Sequence, residues 1–487
     1  MTRKQPPAPT GGHGSPSAVL KTADDVFAYF EAFTNLERGL FRPRDYRLER
    51  MERLLSDFDN PHLGRLTVHL AGSKGKGSTA CYVAAGIAAR MPRVGLYCSP
   101  HVNDYRERIT IDGRSAPEPV IVSCGRDIYS YVLQQKADGM QDSHLPTTFE
   151  LLTLLAFLVF REVKASAQVL ETGLGGRLDA TNLCKPDLTL ITPIEREHTE
   201  YLGTRLTGIA REKAGILKTG VPVCVAPQRP GVRSTILQIA SERNCPVLWD
   251  GRKLGIRRPV LSAAGTEFDF RSPSGDRIHA RLKMLGETQA ENAVLALHAL
   301  HFLFPAETFD DLLSSIANAG LPGRMELVRF RTDPSRLLLL DGAHTPNSID
   351  RLCLAAGSVL GSSITVIFGC VSGKNHGAMA DRISKDAARV IVSRPGTFKK
   401  SDPEAVYAAF SNNAVRASLA LHPRLALEEA LSNPNPVLVC GSFYMVSEIR
   451  KLCIESSVID STIDLFGHGT TEAKDDTQGS ARTVLPS

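Results

Sequence analysis

The chain has 487 residues, 43% of them hydrophobic and 22% charged, with a formal net charge of +5, a size that suits two globular domains better than one core. So slight a surplus of positive charge over this length argues against nucleic acid as a partner, and the longest apolar run, Leu151 to Phe160, is about half of what crosses a bilayer. The ten cysteines include no C-x-x-C pair, which speaks against a zinc ribbon or a dithiol redox motif and for reduced thiols in a cytoplasmic protein.

Residues 1–18 are rich in Pro, Gly, Ser and Thr and have no apolar h-region; they read as a flexible tail, not a secretion signal. Ala23 to Leu55 carries apolar residues at helical spacing with a break at Arg42-Pro43, predicting two helices before the first strand. That strand, Leu66 to Leu70, runs into Ala71-Gly-Ser-Lys-Gly-Lys-Gly-Ser-Thr79. Glycines there let the backbone curl so that its N–H groups point inward, the following helix adds the positive end of its dipole, and Lys76 supplies a cation for phosphate oxygens. The segment Gly72, Ser73, Lys74, Gly75, Lys76, Gly77 and Ser78 is therefore the leading ATP site. The strict pattern G-x-x-x-x-G-K-[ST] is not met, because Leu70 stands at its first glycine and Gly77 separates Lys76 from Ser78; a plain glycine-rich turn is the alternative.

Further short apolar runs, Val94–Tyr97, Ala167–Glu171, Leu188–Ile191 and Pro222–Val225, alternate with helix-like stretches, the signature of a parallel α/β sheet. Ser99-Pro-His-Val102 ends one strand, where such sheets place ligands. Thr147 and Glu150 have the spacing of a capping box, a bland reading at least as good as a functional one. Glu171, at the tip of a strand beside a phosphate loop, holds the position of a Walker B carboxylate and is the leading Mg²⁺ ligand. His198 lies at a strand-to-helix junction and Lys213 on an apolar helix face; by themselves both are compatible with ordinary surface or core residues. Pro259 to Ala280 breaks into short alternating pieces, a small antiparallel appendage before a helix from Gln289 to Leu300. Four strand-like runs follow a boundary near Gly320-Leu-Pro-Gly323: Arg336–Leu340, Ser363–Phe368, Arg389–Ser393 and Pro436–Cys440. The organisation read from this pattern is tail 1–18, first domain 19–320, second domain 321–457 and flexible tail 458–487.

Taken in order, the phosphate loop, "SPH", "ERI.I.G", "T.FE", "E.GLGGRLDATN", "H...LG.T...IA.EKAGI.K", "LPGRME", "LDGAH.P" and "GS.Y.V.E.R" resemble the folylpolyglutamate synthase/dihydrofolate synthase family of the Mur ligase superfamily, from about Val19 to Leu452. The resemblance implies an N-terminal P-loop ATPase-like parallel-sheet domain, a C-terminal Rossmann-like α/β domain, and an ATP-dependent amide ligase. It implies that Lys76 is central to phosphate binding, that Ser99 and Glu171 hold one Mg²⁺, and that His198 and a carbamylated Lys213 help hold a second. A carbamate makes physical sense of that lysine, since anionic oxygens suit a hard cation and an ammonium does not. Asn292 resembles the adenine-side asparagine, Arg324 the arginine of "GR", and Asp341 and His344 the pair facing nucleotide across the domain cleft; Ser442 falls where the family handles the incoming amino acid. Implied partners are ATP, L-glutamate and a folate or dihydropteroate, with the protein a monomer. Lys74, Glu197, Thr345 and Gly373-Lys374-Asn375 depart from the family pattern, the last two on the glutamate side. Two rival readings are a Mur-type ligase for another carboxylate, against which only 65 residues precede Leu66, and a nucleotide-binding regulator without ligation.

Overall fold

The computed structural model describes residues 20–34 and 48–467, apart from 142–143, 253–254, 258, 331–332, 334, 397–399, 414 and 460–462. The tail 1–18, the Arg42-Pro43 break and the end of the chain from residue 468 lie outside the described residues.

Two mixed α/β units follow one another. The first is built on eight strands, β1 (Leu66–Ala71), β2 (Val94–Tyr97), β3 (Ile109–Ile111), β4 (Arg114–Ser115), β5 (Ala167–Glu171), β6 (Leu188–Ile191), β7 (Val223–Val225) and β8 (Val247–Trp249). They lie in the order β4-β3-β2-β5-β1-β6-β7-β8, parallel from β2 to β8, with β3 and β4 antiparallel at one edge. β2, β5 and β6 are buried along their whole length, as strands covered by helices on both faces must be, and this is why they appear in the sequence as unbroken apolar runs. The run Leu151 to Phe160 is a helix, Thr148–Glu162, buried along nearly its whole length. Thr147 and Glu150 form its capping box, and Glu150 also accepts from Arg50 Nε at 2.6 Å, so the bland reading of that pair is the correct one.

A three-stranded antiparallel sheet, β9 (Val260–Ser262), β10 (Gly265–Arg271) and β11 (Arg277–Leu282), packs its alternate residues Phe268, Phe270, Ile278 and Ala280 into the same core as the helices Lys76–Ala88 and Glu287–Leu303. The second unit has strands β12 (Glu326–Arg329), β13 (Leu337–Leu340), β14 (Ile364–Phe368), β15 (Ala387–Val392), β16 (Arg416–Leu419) and β17 (Val437–Cys440) in the order β12-β13-β17-β14-β15-β16, parallel but for β12.

The strands without a counterpart in the sequence reading are β3, β4, β8, β12 and β16. All are two to four residues long and lie at or next to a sheet edge; β4, β8, β12 and β16 are partly exposed, so no apolar run marks them, while β3 is largely buried but only three residues long. A second correction concerns 458–487. Its described part is not a flexible tail: Leu465 and Phe466 are 2% and 4% exposed and belong to the core of the first unit. Composition missed this because the apolar residues at its start, Val458, Ile459, Ile463, Leu465 and Phe466, are unevenly spaced and keep no regular period.

Candidate active site

β1 lies between β5 and β6, so the loop that leaves its carboxyl end emerges at the centre of the sheet. That loop has no room for side chains at two positions. A Cβ on Gly72 would lie 1.8 Å from Thr192 Oγ1, and one on Gly75, whose φ of +81° is left-handed, would lie 2.2 Å from Asn292 Oδ1. The Ser73 and Lys74 amides donate to the Pro193 carbonyl at 2.9 and 3.1 Å, and the Ser73 hydroxyl donates to the Glu195 carbonyl at 3.0 Å. Gly75 precedes the helix Lys76–Ala88 without a side-chain cap, which leaves the helix's first amides and positive dipole end for an anion. Asn292, in the helix Glu287–Leu303, is held by Gln289 at 3.1 Å and so backs the loop directly.

Lys76 Nζ stands 3.9 Å from Glu171 Oε1. Glu171 is 2% exposed, and its Oε2 accepts from the Ser99 amide at 3.1 Å. Burial pushes this carboxyl up, while Lys76 and the Ser99 amide pull the other way. Ser99 and Glu171 thus lie together, and the contact between them is made by the Ser99 backbone amide.

Lys213 is 1% exposed. Its Nζ donates to the Gly72 carbonyl at 2.6 Å and to Glu197 Oε1 at 3.1 Å. Burial, reinforced by Lys76 and opposed by Glu197, lowers its pKa to about 8. The second Glu197 oxygen is 3.9 Å from Lys74 Nζ. Burial alone would raise the Glu197 carboxyl, but Lys76, Lys213 and Lys74 together hold it below its usual value. Glu197 is therefore the carboxylate that ties the phosphate loop to Lys213, a role that its place beside His198 did not reveal. His198 itself lies next to this cluster, exposed, in a left-handed turn at φ 47° before the short helix Thr199–Leu202.

Asp179 is another buried carboxylate of this region that sequence reasoning passed over. Its Oδ2 accepts from the amides of Gly173 and Leu174 at 2.9 and 3.0 Å, and its Oδ1 from the Thr181 amide and hydroxyl at 3.1 and 2.6 Å. It braces the glycine-rich stretch after Glu171. Its position inside "GLGGRLDATN", two residues before a threonine, was the available signal.

The second unit faces this site. Arg324 lies 4.4 Å from the ring centre of Phe443. Asp341 accepts from the amides of Met325 at 2.9 Å and Ala343 at 2.8 Å, and His344 Nδ1 donates to the Gly342 carbonyl at 2.8 Å, leaving Nε2 as an acceptor. Burial lowers the His344 pKa to about 4, so the ring is neutral. Gly77, Ser99, Glu171, Leu321, Arg324 and Leu465 line one pocket between the units. Two expected amino-acid-side residues are otherwise engaged: Ser442 Oγ donates to the Gly369 carbonyl at 2.8 Å and accepts from the Met445 amide at 3.1 Å, and Thr345 caps the helix Pro346–Leu360.

The donor set fits a nucleotide and a hard cation. The glycine cradle admits backbone close to phosphate, and the buried hydroxyls of Thr79, Thr172 and Thr192 have no hydrogen-bond partner among the described residues. Among those residues no three His, Cys, Asp or Glu side chains gather into a metal cage; Mg²⁺ does not require one, because it keeps water and phosphate oxygens in its shell.

A phosphate loop on one α/β domain, with an arginine of the next domain lining the pocket beside it and a buried carboxylate and a neutral histidine on that same domain, defines an ATP-dependent ligase of the Mur type. Residues 70–300 match the Mur ligase middle domain, and residues 323–443 the Mur ligase glutamate ligase domain. The chain belongs to the folylpolyglutamate synthase/dihydrofolate synthase family of ADP-forming ligases. It is 30% identical over 413 residues to the dihydrofolate synthase/folylpolyglutamate synthase of Bacillus subtilis, covering 83% of this chain and 94% of that one. With the folylpolyglutamate synthase of Lacticaseibacillus casei the identity is 29% over 438 residues, 88% of this chain and 97% of that protein. The crystal structure of folylpolyglutamate synthase from Thermotoga maritima superposes with a TM-score of 0.78 at 26% identity, over 90% of this chain and 98% of the other. The Mycobacterium tuberculosis folylpolyglutamate synthase, solved with ADP and AMPPCP, superposes at 0.74 with 27% identity, over 84% and 95%.

Proposed function

We propose that this chain joins L-glutamate to the carboxylate of a dihydropteroate or a reduced folate, consuming ATP through an acyl phosphate. A carboxylate oxygen attacks the γ-phosphorus, the bond to the β,γ-bridging oxygen breaks and ADP leaves. The glutamate amine then attacks the acyl carbon, expels phosphate and loses a proton to give the amide. A free carboxylate does not react with an amine, so activation is indispensable.

The observation that carries this reading is the cradle of Gly72 and Gly75 with Lys76 set against Glu171, opposite Arg324 across one pocket. Lys76 would hold the oxygens of the transferring phosphoryl group, and Arg324 would offset the repulsion between that group and the incoming carboxylate. Asn292 would sit on the adenine side, with Asp341 and His344 on the nucleotide from the second domain; closing the domains would keep water from the acyl phosphate. Mg²⁺, held by Ser99 and Glu171 and at a second place by His198 and Lys213, would supply charge neutralisation at the phosphates.

Carbamylation of Lys213 is part of the proposal. Attack on CO₂ requires a neutral amine, and a pKa of about 8 makes that form available near neutral pH. The resulting anion would stand beside Glu197, where Lys74 and Lys76 balance the added charge. No helix among the described residues is long and apolar enough to cross a membrane, and all ten cysteines are free and buried; both support a cytoplasmic enzyme. A monomer is our reading of its assembly, and the division at residues 320–321 our reading of its domains. The test is ADP release with ATP, Mg²⁺, L-glutamate and either 7,8-dihydropteroate or tetrahydrofolate. Release that depends on glutamate and on one pterin is expected; none with either would refute the proposal.

A further inference from the structure

The last described residues do not stay with the domain that precedes them. After the helix Phe443–Glu455, Val458 and Ile459 pack on the core of the second domain, beside Val446 and Ile449. Ile463, Leu465 and Phe466 instead pack into the core of the first, with residues of the helix that follows the phosphate loop. Residues up to Ile459 thus belong with the second domain and residues from Ile463 with the first, so the two domains are joined covalently a second time, besides the linker near Gly320–Gly323.

The second crossing is anchored by several contacts. The Leu465 amide donates to the Gly113 carbonyl, and the Leu465 carbonyl accepts from the Gly320 amide, each at 2.8 Å. The same carbonyl lies 3.6 Å from the Cys81 thiol, and the Asp464 carboxylate accepts from the amides of Phe466 and Gly467 at 3.3 and 2.9 Å. Phe466 lies so close over the β3–β4 turn that a Cβ on Gly113 would come within 2.6 Å of its ring. Gly320 opens the linker, so this segment grips the point about which the two domains would turn. Leu465 also lines the pocket that contains Ser99, Glu171 and Arg324.

We propose that Ile463–Gly467 form a second tether which limits the range of angles at which Arg324 can face Glu171, closure included, with Leu465 forming part of the apolar wall against which the carboxylate-bearing end of the acceptor substrate is positioned. A single linker permits hinge rotation, whereas two crossings bonded to each other restrict it to the orientations that keep both intact. Leu465 and Phe466 are then positioning residues: they touch no phosphate, but they set the distance between groups on opposite domains. The role of Leu465 in substrate positioning rests on the function proposed above; the tether itself does not.

The test compares the full chain with Leu465→Ala, Phe466→Ala, a chain ending at Ile459, and a control ending at Gly469. Three readouts are followed: kcat and KM for ATP and for the pterin, ADP affinity by calorimetry, and the radius of gyration in solution with ADP. Leu465→Ala should raise the pterin KM about tenfold while leaving ADP affinity within about twofold, because the phosphate loop is untouched. Ending at Ile459 should lower kcat about tenfold or more and widen the radius of gyration, and the control should do neither. A chain ending at Ile459 with unchanged kcat, KM and radius would overturn the proposal, as would a loss of melting temperature with kinetics unaltered below it. If the full chain ligates neither pterin, the functional reading fails, and the radius of gyration still decides whether the tether exists.

Discussion

Replacing Lys213 by methionine tests the chemistry of the site without using catalysis as the readout. The native amine, 1% exposed, has its pKa lowered by burial from 10.5 to about 8. Because the unfolded chain holds this proton more tightly, folding carries a penalty at neutral pH that is relieved as pH rises from about 8 towards 10.5. At 1.36 kcal/mol per pH unit the penalty is about 3 kcal/mol. Methionine of similar length carries none, but it abandons the bonds to the Gly72 carbonyl and Glu197, a largely pH-independent cost of about 1–3 kcal/mol. The two effects oppose each other at pH 7, so the absolute difference there is uninformative; its pH dependence is not. Urea unfolding of both proteins in CO₂-free buffer from pH 7 to pH 10 should show the native chain gaining on Lys213→Met by about 2–3 kcal/mol, most of it above pH 8. A difference that stays flat across this range would mean that Lys213 is not a desolvated amine, which would remove the physical basis for its carbamylation. Repeating the measurement with bicarbonate near neutral pH should stabilise only the lysine-containing protein.

Lys76→Ala should lower turnover by about three orders of magnitude, since it removes the cation aimed at the transferring phosphoryl group; near-normal ADP formation would sink the phosphate-loop assignment. Gly75→Ala should abolish detectable ADP binding by calorimetry and cost about 1–2 kcal/mol for the left-handed backbone alone, because its Cβ would fall 2.2 Å from Asn292 Oδ1. Glu197→Gln should reduce turnover about tenfold by leaving Lys74 of the phosphate loop without its carboxylate, with Glu197→Asp recovering much of it; equal rates in all three proteins would make Glu197 a bystander. Removal of Met1–Ser17 and Thr470–Ser487 should leave ligase rates within about twofold, measured under saturating substrates, since neither stretch has the apolar periodicity to pack on a core.

Much of this protein was legible in its sequence, for an identifiable reason. Strands covered on both faces must be apolar throughout, so β2, β5 and β6 announced themselves almost to the residue, as did the buried helix Thr148–Glu162. The loop was equally plain, since only glycine tolerates the crowding at Gly72 and the left-handed backbone at Gly75. From those elements the ends of β1 and β5 can be placed side by side, and with them Lys76 and Glu171. Three features depended on contacts between segments far apart in the chain, and no local pattern encodes such contacts. Glu197 is one charged residue among several in Glu195-Arg-Glu-His198 until Lys74 and Lys213 are folded onto it. Ser442 looks like a binding residue until its hydroxyl is found capping a helix. Leu465 and Phe466 looked like part of a polar tail, because the apolar residues from Val458 to Phe466 keep no regular period; only tertiary structure, by bringing Gly113 and Gly320 to them, gives their burial a place to occur.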